Sequence, residues 1–523
     1  MLRGFISKRK SEVLKSYLII FLGILRSNKM NQKKIGALLA YGNVFVKNIS
    51  LFICTPIFLK YLGKSEYGIY QMVNAVISNL VILNMGFSFA YIKFYVRESQ
   101  KENAHIRVGK LNGIYLLLFT GISILILIIG SLLILNKERL FSSSLTEQNT
   151  NLVSQLMIIM SVNIAITFFS SIFDAYIAAN EQFKFQQSRQ LLQTILFPLL
   201  TIPLLTLWYS NAVIIVLIQT MISIFVLSSN IIFCKRKLSM AFSFTNLEFY
   251  MFKEIGVFSF FIFLNQIFNQ INDTAPPLII GSILGSKQIA IYAIVNQLKS
   301  LFFLLSQSFT NIFIPQVNKI VHTNNDSMQL SNVMIKIGKI QVLVLSFFIG
   351  GFILLGKYFL LLWLGRGFEL AYYLLISVIF PLMIPLSQNI GLEIQQARNK
   401  HMFRSIILTI FAILNIFITI FMVSKFGLIG STAGYIFSLL LGYGFIINLY
   451  YYIALKLDIF SFWKSVLPCY VPLTLSVMIC YLIFGTKMNS FNEFILTGSI
   501  YSLIYLGSAA LMNYKMIKQW KER

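Results

Sequence analysis

The residues that stand out chemically are a few charged and amide side chains inside long apolar stretches. Lys47 lies near the middle of an apolar stretch at 36–61, and Lys299 near the middle of another at 288–315. An ionisable residue at the centre of a bilayer costs about 2.5–3.5 kcal/mol, and such residues usually face a cavity. Two ammonium groups at that depth could neutralise a pyrophosphate or another anionic head group.

Each lysine belongs to a polar stripe on its predicted helix, because residues spaced alternately three and four apart share one helix face. The first stripe is Gly36, Ala40, Asn43, Lys47, Ser50 and Cys54, and the second is Tyr292, Asn296, Lys299, Phe303, Ser306 and Thr310. The stripes predict a water-filled cavity in which Asn43, Lys47, Asn296 and Lys299 contact substrate. Two alternatives stay open: Lys47 bonded to a carbonyl in close helix packing, and Lys299 paired with a buried carboxylate.

The stretch at 255–284 is the most polar of the apolar stretches. Its amides include Asn269, a predicted substrate contact, and its one carboxylate in the polar middle is Asp273. Pro276-Pro277 follow, and adjacent prolines free backbone carbonyls. We therefore expect a broken helix with Asp273 as the coupling-ion or proton site. The alternative is an interhelical hydrogen-bond seam.

Asp174 is the acidic member of a polar face in the stretch at 152–179, together with Asn163, Thr167 and Ser170. It is a candidate substrate contact. Because Glu181 and Arg189 follow closely, a structural ion-pair network is an equally good interpretation.

These side chains would be positioned by membrane-spanning helices. Of the 523 residues, 57% are apolar and 11% charged, against about 25% charged in soluble domains. Runs of roughly 20 apolar residues match the thickness of a bilayer. We predict an all-α integral membrane protein of about fourteen transmembrane helices, at 36–61, 67–92, 111–135, 152–179, 190–209, 212–233, 255–284, 288–315, 338–356, 369–396, 402–424, 428–453, 465–484 and 493–512.

The positive charge of the chain is distributed unevenly between the predicted loops. The net charge is +26, and 32 of the 43 Lys and Arg residues fall on the N-terminal side of the membrane, against 9 on the other side. This asymmetry predicts that both termini are cytoplasmic and argues against nucleic-acid binding.

A short internal repeat divides the chain. The segment 62–74 aligns with 284–296 at a constant offset of 222, with six of thirteen positions identical. Because the copies are six predicted helices apart, they indicate two lobes of equal orientation. The predicted domains are a basic cytoplasmic segment 1–34, an N-lobe 35–233, a cytoplasmic loop 234–254, a C-lobe 255–453, and two extra helices with a tail at 454–523.

The sequence contains no phosphate-binding glycine loop, no nucleophile elbow and no paired carboxylates on a sizeable soluble loop. The four cysteines form no C-x-x-C pair and the three histidines are isolated. We expect a protein that is not an enzyme, with no cofactor and no metal site.

Several segments resemble the bacterial polysaccharide-biosynthesis flippases of the multidrug/oligosaccharidyl-lipid/polysaccharide flippase superfamily, which handle O-antigen or capsule repeat units. The resemblance covers about residues 34–460 and is carried by loose turn and helix-end patterns at 56–70, 84–88, 178–186, 281–292 and 362–365. It implies a flippase that moves undecaprenyl-pyrophosphate-linked oligosaccharide across the bacterial inner membrane by alternating access, for synthesis of O-antigen (lipopolysaccharide) or capsule.

The implied partners are the lipid-linked oligosaccharide, membrane lipids, a proton or sodium ion, and the glycan polymerase machinery. Two other functions stay open. A cation-coupled multidrug efflux transporter would favour carboxylates in its cavity, and a membrane glycan polymerase or ligase would need a sizeable external loop with acid, base or cation groups.

Overall fold

The computed structural model describes residues 32–84, 86–140, 147–207, 210–245, 249–323, 325–398, 400, 402–485 and 490–512, with side chains described for all of these except 32–34, 37, 89, 139–140, 147–148, 249, 258, 260–269 and 271–273. The predicted segment 1–34 therefore lies almost entirely outside the described residues. Over the described ranges every regular element is helical, which confirms the all-α prediction.

Helices α1–α6 form the first part of the chain. They are α1 (32–62), α2 (64–84 and 86–99), α3 (Ala104–Leu135), α4 (Glu147–Ala179), α5 (Phe183–Leu207) and α6 (Ala212–Lys237), with a short helix at Lys137–Leu140. The break between α1 and α2 is at Gly63, whose φ of 71° and ψ of 171° are readily adopted only by glycine. α5 packs mainly on α1, and α4 packs between α3 and α6.

Helices α7–α14 complete the fold. They are α7 (Phe249–Leu284), α8 (Ser286–Thr323), α9 (Ser327–Leu364), α10 (Glu369–Ser387 continued by Asn389–Ala397), α11 (Met402–Phe426), α12 (427–453), α13 (459–484) and α14 (Phe491–Met512). α12 includes a π-helical stretch at Ser438–Ile447. α8 packs on α9 and α10, α11 packs on α7, and α13 and α14 pack on α9.

Eleven helical stretches among the described residues are long and apolar enough to cross a membrane. Leu38–Asn84 covers most of two predicted spans and Met402–Ile453 contains two more, and the described apolar part of α7 is the shorter segment Thr274–Leu284. The chain is thus a multi-pass membrane protein. The number fourteen, the domain limits and the orientation of the termini stay predictions. We call the end at which α1 begins the inner end and the end at Gly63 the outer end.

The predicted break in the helix at Pro276-Pro277 is wrong. α7 is helical from Phe249 to Leu284, with both prolines inside it. The break lies instead in the neighbouring α2, which becomes a 3-10 helix at Asn79–Asn84 and passes through Gly86 with φ of 71°. α7 is joined to this broken segment, because Gln270 Nε2 donates to the Ser78 carbonyl at 3.0 Å and Thr274 Oγ1 to Asn79 Oδ1 at 2.6 Å.

Candidate functional site: a polar cavity and the seams between the helix bundles

A polar cavity of about 690 Å³ lies among α1, α4, α5 and α6. Amide, hydroxyl and ammonium groups dominate its lining, which consists of Asn43, Lys47, Ser50, Leu51, Cys54, Asn163, Thr167, Gln190, Gln193, Thr194, Phe197, Gln219, Ile222 and Ser223. The polar residues recur three and four apart on each helix, so each helix directs one face into the same space. The cavity can therefore offer hydrogen bonds to a polar molecule from four sides.

Among the described residues that line the cavity, Lys47 is the one that carries a charge. Its side chain is exposed, and within the described residues its ammonium makes neither a hydrogen bond nor an ion pair. The amides around it are held by one another, since Thr194 Oγ1 donates to Asn43 Oδ1 at 2.7 Å and Asn43 Nδ2 to Gln190 Oε1 at 3.4 Å. Because no carboxylate among the described lining residues neutralises Lys47, the cavity is suited to binding an anionic group.

Asp174 does not line the cavity. Its carboxylate accepts from Arg189 Nη2 at 2.8 Å and from Gln186 Nε2 at 3.3 Å. Arg189 is buried and also donates to Asn230, whose amide in turn donates to Ser170 Oγ at 3.1 Å. These bonds join α4, α5 and α6, as in the ion-pair interpretation of the sequence.

Lys299 also lies outside the polar cavity. It is 7% exposed, and its Nζ atom stands 4.6 Å from the centre of the Tyr435 ring. This cation–π contact comes from α12 of the same bundle, so in this conformation the two lysines do not share one cavity. The side chains of Asn269 and Asp273 lie outside the described part of the chain.

We call α1–α6 and α7–α14 the two halves of the protein. Asn296 lines a second cavity, of about 360 Å³, between the two halves. Its equivalent in the internal repeat, Asn74, lines the same cavity from α2, and Gln270 and Thr274 face it from α7. The repeat thus places one amide from each half in the lining of the same cavity. The sequence predicted the equivalence of these residues but not that they line one cavity.

The two halves meet closely at the outer end, along what we call the outer seam. Lys64 donates to the carbonyls of Gly367 at 2.8 Å and Arg366 at 3.3 Å. Ser65 Oγ lies 3.3 Å from Ser286 Oγ, so the two copies of the repeated turn touch.

A tryptophan hydrogen bond supports the outer seam further along α1. Trp363 Nε1 donates to the carbonyl of Phe52 at 2.9 Å, and the two rings stack with centroids 4.7 Å apart. In a helix that carbonyl would accept from the amide of residue 56, but Pro56 has no N–H. Trp363, in the other half of the protein, therefore donates to a carbonyl that Pro56 leaves without a donor in its own helix.

The inner end has a smaller connection between the halves. Arg97 at the end of α2 donates to Glu254 at the start of α7 over 2.6 Å. Glu98 is fully buried beside it and accepts from Arg97 at 2.9 Å and Lys101 at 2.8 Å. Burial raises the pKa of Glu98, but the hydrogen bonds from Lys101 and Arg97 outweigh it, so the pKa lies below its ordinary value.

Sequence reasoning missed the contribution of α5 and α6 to the polar cavity. Gln190, Gln193 and Thr194 recur at helical spacing on α5, as do Gln219 and Ser223 on α6. This periodicity was the available signal. It is weaker than the signal from Lys47 because uncharged amides also occur in interhelical packing.

The polar cavity and the two halves around it define a helical membrane protein that can accommodate a polar molecule. Known proteins share this fold. The family model described as "Polysaccharide biosynthesis protein" matches residues 34–317. The chain belongs to this family, which confirms the resemblance seen in the sequence. No curated protein sequence matches the chain.

Solved structures share the fold at low sequence identity. A structure titled "Lipid II flippase MurJ, inward closed conformation" is similar with a TM-score of 0.73 and 17% identity, over 92% of this chain and 100% of that one. A multidrug resistance MATE family transporter of the MOP superfamily, in an inward-facing conformation, gives a TM-score of 0.63 and 15% identity, over 84% of this chain and 98% of the other.

Proposed function

We propose that this protein is a flippase that moves an oligosaccharide linked to undecaprenyl pyrophosphate across the bacterial inner membrane, for O-antigen or capsule synthesis. The observation that carries the proposal is the lining of the polar cavity, in which one unpaired ammonium, Lys47, stands among amides and hydroxyls with no carboxylate. A sugar needs many neutral hydrogen-bonding groups, whereas a pyrophosphate needs a cation. Membership of the polysaccharide biosynthesis family supports the same class of substrate.

Lys47 would bind the pyrophosphate, and Asn43 with the amides of α5 and α6 would bind the first sugars. Lys299 would join them only in a state in which α8 moves away from Tyr435, since it now lies against that ring. Asn296 and Asn269 would contact the oligosaccharide as it passes between the halves. Asp273 on α7 would bind the coupling proton or sodium ion.

Alternating access requires the outer seam and the inner connection to open in turn. The outer seam rests on hydrogen bonds to carbonyls, such as those from Lys64 and Trp363, and the inner connection on the partly exposed Arg97–Glu254 pair. Neither is a large buried ionic network, so either can separate at modest cost. Energy would come from an ion gradient or from the gradient of the substrate.

The decisive experiment replaces Lys47 in a strain that depends on this protein for surface glycan. We expect Lys47→Ala to abolish surface glycan, with lipid-linked single repeat units accumulating on the cytoplasmic leaflet, and Lys47→Arg to retain it. Lys60→Ala is the matched control, because Lys60 is exposed on the same helix and does not line the cavity. Membrane levels of all three variants should equal that of the unmodified protein.

Other outcomes separate the alternatives. Normal glycan from Lys47→Ala would remove the proposed anion site. Accumulation of repeat units on the periplasmic leaflet would favour a polymerase or ligase, and altered drug resistance with intact glycan would favour a multidrug transporter.

A further inference from the structure

A cavity of about 400 Å³ lies at the inner end, where α8, α10 and α12 all terminate and α13 begins. It is rich in cationic side chains, and neither Asp nor Glu is among its lining residues, which are Val321, His322, Asn325, Ser327, Ala397, Arg398, Lys400, Ala454, Leu455 and Lys456. It lies apart from the polar cavity, and transport as proposed above does not use it.

Arg398 builds the walls of this cavity. Its guanidinium donates to Asn325 Oδ1 at 2.8 Å, the Asn325 carbonyl at 3.0 Å, Ser327 Oγ at 3.0 Å and the Leu455 carbonyl at 2.6 Å. These bonds tie the loop before α9 to the loop before α13. All four hydrogen-bond acceptors are neutral, and the carboxylate of Asp326 is close enough to act on the guanidinium electrostatically.

The cavity carries more positive charge than the helix C-termini around it would neutralise. Three helix C-termini contribute roughly half a negative charge each, and Arg398 already bonds the carbonyls of the adjoining loops. The nearest acids in sequence, Asp326 and Asp458, each accept from a backbone N–H at the start of the next helix, at 2.8 and 2.9 Å. Asp326 can offset one positive charge, that of Arg398, so Lys400 and Lys456 leave a net positive charge in the cavity.

Both lysines can reach a ligand. To the described residues Lys400 Nζ donates one hydrogen bond, to the Ala454 carbonyl at 3.1 Å, and an ammonium has two further N–H groups. Lys456 is exposed and makes no hydrogen bond or ion pair with any described residue. Its φ of 54° lies in the left-handed region, which is uncommon for a residue other than glycine.

Exposed apolar side chains flank the cations. Ile453 is 64% exposed and Phe460 74% exposed, on either side of Lys456 in sequence. Tyr452 and Phe460 meet edge to face with ring centroids 5.4 Å apart. Aromatic side chains of this kind are enriched at the boundary between lipid head groups and chains.

We propose that this cavity binds the phosphate group of an anionic phospholipid, with Lys400 and Lys456 as its ligands and the lipid chains against Tyr452 and Phe460. The ligand would come from the leaflet at the inner end, which the distribution of Lys and Arg predicts to be cytoplasmic. The bound lipid would join α13 to the helices before it. The assignment does not depend on what the protein transports.

The test uses the full-length protein in detergent and measures binding of phosphatidylglycerol by native mass spectrometry and by lipid-dependent thermal stabilisation. Each lysine near an anionic head group strengthens binding about fivefold, so Lys400→Ser/Lys456→Ser should weaken binding roughly 25-fold. The matched control is Lys235→Ser/Lys237→Ser, which removes the same charge from the exposed inner end of α6 and should change affinity less than about twofold.

Three results would overturn the proposal: equal weakening in the control, equal binding of phosphatidylcholine, or equally tight binding of inorganic phosphate alone. If the double variant does not fold, Lys456→Ser alone serves the same purpose, with an expected loss of about fivefold.

Discussion

Replacing Trp363 by Phe tests whether the outer seam depends on the acceptor that Pro56 leaves open. Phenylalanine retains an aromatic ring to stack on Phe52, but it loses the N–H that reaches the Phe52 carbonyl at 2.9 Å. The closed seam would then contain a carbonyl with neither an intrahelical nor an interhelical donor. We expect Trp363→Phe to shift the protein towards a state open at the outer end.

The size of the shift follows from the value of one hydrogen bond. Interhelical hydrogen bonds in membrane proteins average about 0.6 kcal/mol, and a typical hydrogen bond contributes up to about 1.5 kcal/mol. With 1.4 kcal/mol corresponding to a factor of ten, the open population should rise roughly 3- to 12-fold.

The assay is the labelling rate of Ser286→Cys by a maleimide that does not cross the membrane. Ser286 is 7% exposed at the outer seam, so its labelling rate reports the fraction of open protein. The four native cysteines are all buried, and labelling of protein without the added cysteine gives the background. Trp463→Phe is the matched control, because that indole donates to Asn448 Oδ1 at 3.1 Å, away from the seam.

A second replacement makes the test more specific. Pro56→Ala supplies the N–H that can bond the Phe52 carbonyl within α1, so Trp363→Phe should have a smaller effect in that background. An unchanged labelling rate in Trp363→Phe, the same increase in Trp463→Phe, or a full effect in the presence of Pro56→Ala would refute the reasoning.

Three further predictions concern the two ends of the protein. Glu254→Gln should weaken the inner connection to Arg97 and lower the labelling rate of Ser286→Cys at the outer seam. The decrease should be at most about fivefold, because the side chains of Arg97 and Glu254 are both more than a third exposed. A higher labelling rate would contradict the role assigned to this pair. Gly68→Ala should raise the labelling rate of Ser286→Cys at least about fivefold. An added Cβ would overlap the Ser286 carbonyl, and overpacking costs about 1–3 kcal/mol. An unchanged labelling rate would contradict the close packing of Gly68 against Ser286. The pKa of Glu98 lies below its ordinary value, so ionised Glu98 stabilises the folded protein. This contribution is full above the ordinary carboxyl pKa of about 4.3 and is lost as the pH falls through the lower folded-state pKa. The melting temperatures of the unmodified protein and of Glu98→Gln should therefore converge in acid and separate above about pH 5.

The sequence by itself determined the helices and part of the site. Apolar length and punctuation placed most of each predicted span in a helical stretch of the described residues, because a bilayer demands long apolar runs and a helix satisfies its own backbone. The stripe on α1 was also predictable, since Asn43, Lys47, Ser50 and Cys54 follow from spacing alone and all line one cavity. A charge in an apolar stretch is a strong signal because it is costly there.

Only the tertiary structure decided which polar faces meet. Lys299 has the same spacing and depth in the sequence as Lys47, yet it is buried with its ammonium against the Tyr435 ring of α12. The prolines of α7 do not break it, whereas α2 breaks beside them, since bonds from Gln270 and Thr274 fix the pair of helices together. Spacing along one helix fixes the face on which a side chain lies, but the residues that pack against that face come from distant parts of the chain.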